Sequence, residues 1–113
     1  GIICFAGNWH GRTMGAQLMS SNEKQKSWIG FRDPNIYHLK FPYPDEVNEE
    51  NCKTFLEKEI KNLLKKNNIS LKKNIEGFML ETFQGWGAIF YPLKFVKLIE
   101  KICAENNILL CFN

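Results

Sequence analysis

The feature that most restricts the fold of this chain is the alternation of short apolar runs with amphipathic stretches. Residues 1–6, 78–80 and 108–112 are apolar runs bounded by turn-forming residues, which is typical of buried strands. Apolar residues recur at helical spacing through residues 49–66 and again after Pro92. Strands that alternate with helices are joined by right-handed crossovers. The sequence therefore predicts the α/β class, with a mostly parallel sheet covered by helices.

The remaining segments are less regular. Residues 12–19 could form a short helix, whereas residues 20–44 carry three prolines and no sustained period, which predicts mostly irregular structure. A basic run is interpreted as a solvated helix end and loop; it comprises Lys65, Lys66, Lys72 and Lys73. Both ends of the chain fall within apolar runs, so we expect residues 1–113 to be part of one larger domain, without an internal boundary.

Composition excludes several classes of protein. With 44% hydrophobic and 24% charged residues and no apolar run near the roughly 18 residues of a membrane helix, the chain is neither disordered nor membrane-spanning. Only two of its 15 basic residues are arginine, which argues against nucleic-acid recognition. The four cysteines match no metal-ligand spacing, and three of them, Cys4, Cys103 and Cys111, lie in apolar runs where cysteine is expected to be buried. We predict free thiols, no metal site and a reducing, cytoplasmic setting.

Functional residues are expected just beyond the carboxyl ends of the three strands. These positions are residues 8–13, residues 81–87 and Asn113. Trp9 and His10 stand beside a flexible glycine and could form one wall of a pocket for a planar ligand. The alternative, that Trp9 fills the core and His10 is a structural histidine, remains open at this point. No catalytic arrangement of a serine or cysteine with histidine is indicated.

Three segments together resemble the class III aminotransferases, the ornithine and 4-aminobutyrate type. They are CFAGNWHGRTMGA, EGFMLETFQGWGAIFYP and FVKLIEKICAENNILLCFN, in the order of the family and nearly at its spacing. The resemblance implies dependence on pyridoxal phosphate and a type I aminotransferase fold, of which residues 1–113 would form part of the large, cofactor-binding domain.

The resemblance also implies roles for individual residues. Trp9 falls where the family places an aromatic ring over the pyridine face of the cofactor, and His10 follows it in the motif. Glu81, the expected catalytic residue, matches a glutamate close to the cofactor and the substrate amine. Asn113 falls on the aspartate that holds the pyridine nitrogen protonated; an asparagine can form a hydrogen bond there but adds no counter-charge.

Other positions depart from the family pattern. Thr82 replaces a proline, and Trp86 stands where many members have a glutamate that takes part in substrate choice. Trp86 therefore argues against assuming specificity for ornithine or 4-aminobutyrate. The lysine that binds the cofactor covalently lies beyond the aspartate strand in the family, and none of the 13 lysines here has a corresponding context. We expect the 113-residue chain alone to be inactive.

The implied activity of the intact enzyme is transfer of an amino group between an amino donor and an oxo acid, by a homodimer. Two alternatives stay open at this stage. One is a pyridoxal phosphate-dependent aminomutase or decarboxylating relative, which shares these motifs. The other is a non-catalytic remnant that acts as an interaction module.

Overall fold

A computed structural model describes all residues, 1–113. Four strands form one sheet: β1 (Ile2–Phe5), β2 (Ile36–Leu39), β3 (Gly77–Leu80) and β4 (Leu109–Phe112). Their order is β2-β1-β3-β4, and every neighbouring pair is parallel. The predicted α/β class is confirmed, and the three predicted strands lie side by side.

The helices include all three that the sequence predicts. They are α1 (Met14–Met19), α2 (Cys52–Asn67), α3 (Leu71–Asn74) and α4 (Leu93–Asn106), with a single 3-10 turn at Glu23–Lys26. Both long helices end at an asparagine in the left-handed conformation, Asn68 with φ 53° and Asn107 with φ 56°. Asparagine tolerates this conformation better than most residues, so each sets a definite stop. No helix combines the length and the apolar character that crossing a membrane requires.

The core lies where α2 and α4 pack on each other and on the sheet. Phe95 of α4 is fully buried, packs edge-on against Phe5 of β1 at a centroid distance of 5.7 Å and stacks with Tyr91 at 5.9 Å. Aromatic pairs of this geometry stabilise a core beyond the area that they bury. They also tie the end of β1, where the candidate site begins, to the loop in front of α4.

The carboxylate of Glu49 caps α4 from the segment before α2. Its two oxygens accept hydrogen bonds from the backbone N–H of Leu93 at 2.6 Å and of Lys94 at 2.9 Å. Pro92, at the N-cap position, has no side-chain acceptor of its own. An anion at this end also opposes the positive end of the helix dipole. The contact therefore fixes where α4 begins, although the two segments are far apart in sequence.

Three expectations from the sequence are wrong. Residues 36–39, predicted to be irregular, form β2; this edge strand is half-buried and so lacks a clear apolar run. Residues 71–74, predicted to be loop, form the short helix α3, although its lysines are exposed as expected. All four thiols are free, but Cys111 is exposed rather than buried, because β4 pairs on one side only and is largely open to solvent.

Candidate functional site

The carboxyl ends of β1, β3 and β4 meet at one edge of the sheet. The backbone N–H of Asn113 donates to the Leu80 carbonyl at 3.0 Å, and the Asn113 carbonyl accepts from Thr82 N–H at 3.1 Å. These bonds extend the β3–β4 ladder and place Asn113 level with the residues that follow β3. Across the sheet, Nδ1 of His10 lies 2.8 Å from Oδ1 of Asn113.

The turn after β1 is fixed by buried polar contacts. Gly7 has φ +83°, and a Cβ there would lie 2.3 Å from the amide nitrogen of Gln84, so the turn requires glycine. Asn8 is 1% exposed and donates from Nδ2 to the Tyr91 hydroxyl at 2.8 Å. This contact fixes the backbone next to Trp9, whose side chain lines the cleft described below.

Trp9 and His10 have different surroundings. Trp9 is 38% exposed and lines a cleft, so it does not fill the core. His10 is buried; its backbone N–H donates to Ser20 Oγ at 2.7 Å, and its Nε2 atom is buried without a hydrogen-bond partner. Burial lowers the pKa of His10, against the opposing effects of the Asn113 hydrogen bond and the Glu81 charge. The imidazole is therefore neutral at physiological pH.

Glu81 is buried directly after β3. One of its oxygens accepts from Gly85 N–H at 3.3 Å, which closes the turn that follows the strand. Gln84 in the same turn pairs through its backbone with Ile89 and donates from its side chain to Tyr43 at 3.0 Å. Gln84 is thus a structural residue, whereas the Glu81 carboxylate also faces a cavity.

This cavity has a volume of about 330 Å³. It combines two indole rings with a carboxylate and a guanidinium group; its lining residues are Trp9, Arg12, Gln25, Glu81, Gly85 and Trp86. Such a lining suits a flat ligand that carries both signs of charge. No cluster of histidine, cysteine or carboxylate side chains has the composition of a metal site.

The structure thus brings the predicted residues Trp9, His10, Glu81 and Asn113 to one edge of the sheet, although their roles stay predictions. Sequence reasoning did not single out Gln25. It lies in the segment predicted to be irregular, which folds back over the edge without any periodic signal. Arg12 was expected only to begin a helix, and its position next to the aromatic motif was the available signal.

Comparison with known proteins identifies the family. The profile of the aminotransferase class-III family matches residues 1–113. The chain is 31% identical over 115 residues to a mitochondrial acetylornithine aminotransferase of Candida glabrata, with 100% of this chain and 23% of the relative covered. It is 33% identical over 109 residues to an ornithine aminotransferase of Bacillus cereus, with 96% of this chain and 22% of the relative covered. The chain therefore spans under a quarter of the length of these relatives.

Solved structures show the same fold. An omega transaminase from Pseudomonas jessenii in complex with PMP superimposes with a TM-score of 0.78 at 20% identity, over 96% of this chain and 25% of that one. An (S)-enantioselective omega-transaminase from Thermomicrobium roseum gives 0.75 at 22% identity, over 98% and 25%. On the match along its whole length, this chain belongs to the class-III aminotransferase family.

Proposed function

We propose that residues 1–113 form part of the cofactor-binding domain of a pyridoxal phosphate-dependent transaminase, which transfers an amino group between an amino donor and an oxo acid. One observation carries the proposal. In a chain of this family, Trp9, Glu81 and Asn113 follow three different strands and meet at one edge of the sheet. Ligands of open parallel sheets bind at this edge.

The residues present fit a planar aromatic cofactor. The partly exposed indole of Trp9 offers a face for stacking, and the exposed amide of Asn113 offers a hydrogen bond to a ring nitrogen. When bound, pyridoxal phosphate supplies an electron sink for the substrate carbon that loses a proton. In this arrangement Trp9 and Asn113 would hold the ring, while His10 would hold Asn113.

The charged groups of the cavity fit an amino acid or an oxo acid. The Glu81 carboxylate would attract the ammonium group of the donor, and the Arg12 guanidinium would pair with a carboxylate of the substrate. Trp86, 62% exposed on the cavity wall, adds apolar surface where many family members have a glutamate. We therefore propose a substrate with an apolar or aromatic part beside its amine.

The homodimer and the cytoplasmic location stay predictions. In support of a second copy, Phe83 and Phe90 lie with ring centroids 5.5 Å apart and are 42% and 73% exposed in the loops after β3. Apolar rings of this kind are often covered in an assembly. The relatives described above are all aminotransferases or transaminases, so the aminomutase or decarboxylating alternative is not proposed.

The test uses the full-length protein that contains this chain. Pyridoxal phosphate binding is measured by absorbance, and amino transfer is measured with a panel of amines and oxo acids. Trp9→Ala should weaken cofactor binding by about two- to tenfold, since one stacked aromatic pair contributes about 0.5–1.5 kcal/mol. The matched control is Trp28→Ala, because Trp28 is 58% exposed and lies outside the 330 Å³ cavity.

Equal cofactor affinities for Trp9→Ala and the parent would contradict the placement of the ring. Absence of amino transfer by the full-length protein with every donor would contradict the proposed activity. The 113-residue chain alone should show no sustained transfer above that of free cofactor.

A further inference from the structure

The side chain of Asn113 is held by contacts on its backbone and on its amide oxygen. Its backbone N–H and carbonyl are both bonded to the strand end at residues 80–82, so the residue cannot shift along the sheet. Its Oδ1 atom lies 2.8 Å from His10 Nδ1, whereas its Nδ2 atom makes no hydrogen bond within the protein. One end of the amide is therefore occupied, and the other end is free.

The burial of His10 decides which atom of the Asn113 amide, Oδ1 or Nδ2, faces its Nδ1 atom. The imidazole is neutral and therefore carries one proton, and its Nε2 atom is buried without a partner. If Nδ1 carries the proton, it donates to Asn113 Oδ1, and only a lone pair is left unpaired at Nε2. If the amide were reversed, Asn113 Nδ2 would donate to the lone pair of Nδ1, and the single proton of the imidazole would lie on Nε2. Nε2 would then be a buried N–H without an acceptor, which folded proteins avoid more strictly. The Nδ1–H form, with Oδ1 as acceptor, is favoured.

We propose that His10 is a positioning residue that fixes the Asn113 amide with its N–H₂ group free, so that this site binds the cofactor with an unprotonated pyridine nitrogen. The inference rests on the proposed function, because it assumes that Asn113 meets the ring. An N–H donor bonds to the lone pair of a neutral ring nitrogen, whereas two N–H groups facing each other leave both donors unpaired.

This arrangement has a chemical consequence for the whole site. A neutral ring withdraws electrons less strongly than a protonated one, so the electron sink is weaker than in a site that holds a carboxylate at this position. Asp at position 113 could accept from His10 Nδ1–H with one oxygen and from a protonated ring nitrogen with the other. The residue at position 113 thus sets the protonation state of the ring, and His10 orients the side chain of that residue.

The experiment uses the full-length protein with the cofactor labelled by ¹⁵N in the ring and with ¹⁵N-labelled histidine. Absorbance first establishes whether the cofactor binds. The ring-nitrogen resonance of the parent should lie in the range of neutral pyridine, and Asn113→Asp should move it to the range of pyridinium. In the protein without cofactor, the His10 signals, assigned by their loss in His10→Phe, should show the proton on Nδ1.

A histidine control separates positioning from general packing. His10→Phe leaves the Asn113 amide free to present either Oδ1 or its N–H₂ group to the ring, so the ring-nitrogen resonance should move part of the way toward the pyridinium range. His38→Phe, at the half-buried histidine of β2, should leave the ring signal unchanged.

The outcomes distinguish the two proposals. No cofactor binding would overturn the proposed function. Binding with a protonated ring nitrogen in the parent, or a His10 proton on Nε2, would overturn this inference and leave the proposed function standing. A neutral ring nitrogen together with the Nδ1–H form would support both.

Discussion

The hydrogen bond between Asn8 and Tyr91 is expected to stabilise the turn that carries the candidate site. Tyr91→Phe removes only the hydroxyl group and keeps the ring that stacks on Phe95 and packs on Phe5. The Asn8 Nδ2 donor then has no partner, and Asn8 Oδ1 is already buried without one. Because Asn8 is 1% exposed, water cannot replace the lost acceptor.

The magnitude follows from this burial. A buried polar group left without its partner costs about 1–3 kcal/mol, so we expect Tyr91→Phe to lower the free energy of unfolding by about 2 kcal/mol. That change reduces the ratio of folded to unfolded protein by roughly 30-fold. In an Asn8→Leu background the same substitution should cost much less, since no donor remains to be stranded.

The assay is urea denaturation of the protein, with the free energy of unfolding extrapolated at an unchanged m-value. Tyr37→Phe is the matched control, because the Tyr37 hydroxyl makes no hydrogen bond in a half-buried position. Equal and small losses for Tyr91→Phe and Tyr37→Phe would refute the reasoning. So would an undiminished effect in the Asn8→Leu background.

Three further predictions concern capping, pH dependence and thiol reactivity. Glu49→Ala should lower the free energy of unfolding by about 1–2 kcal/mol in urea denaturation, because α4 loses the acceptors of its first two N–H groups. The control is Glu50→Ala, at the neighbouring exposed position, which should cost less than about 0.5 kcal/mol. Similar losses for the two variants would contradict the cap. Stability should decrease as the pH falls below 6.5, because burial lowers the pKa of His10 in the folded protein while the unfolded chain takes up the proton at its ordinary value. Denaturation of His10→Gln between pH 5 and 7 should show a smaller slope than the parent, and an unchanged slope would exclude His10 as a contributor. Iodoacetamide should modify exposed Cys111 and spare Cys4, since burial raises the pKa of Cys4 to about 12. Mass spectrometry of the protein treated with and without denaturant measures the modification. Modification of Cys4 in the folded protein would show that its burial is incomplete.

The sequence predicted the elements whose side chains are buried on a clear period. β1 and β3 are apolar runs, and the apolar face of α4 contains Phe95 and Ile99, which are fully buried. β2 was missed because three of its four residues are half-buried at the sheet edge, where packing leaves no strict pattern. Its pairing with β1 depends on backbone hydrogen bonds that any residue can make.

The residues of the candidate site were also predictable only in part. Trp9, Glu81 and Asn113 could be located because parallel topology places the residues after each strand at one edge. The contact between His10 and Asn113 could not be predicted, because it depends on the rotamers of two side chains that come from opposite ends of the chain. Gln25 reached the cavity through an irregular segment whose path no local pattern determines.

The central position of β1 has a consequence for how the chain acquires its fold. Ile2 lies opposite Ile36 on one side and Gly77 on the other, so β1 is completed only after two long stretches of chain have closed on it. Such closures carry an entropic cost before any contact compensates for it, and high contact order slows folding. We therefore expect α2 and α4 to form early and the sheet to form late. During that interval the apolar β1 segment, which is synthesised before the strands that pair with it, would be exposed to aggregation.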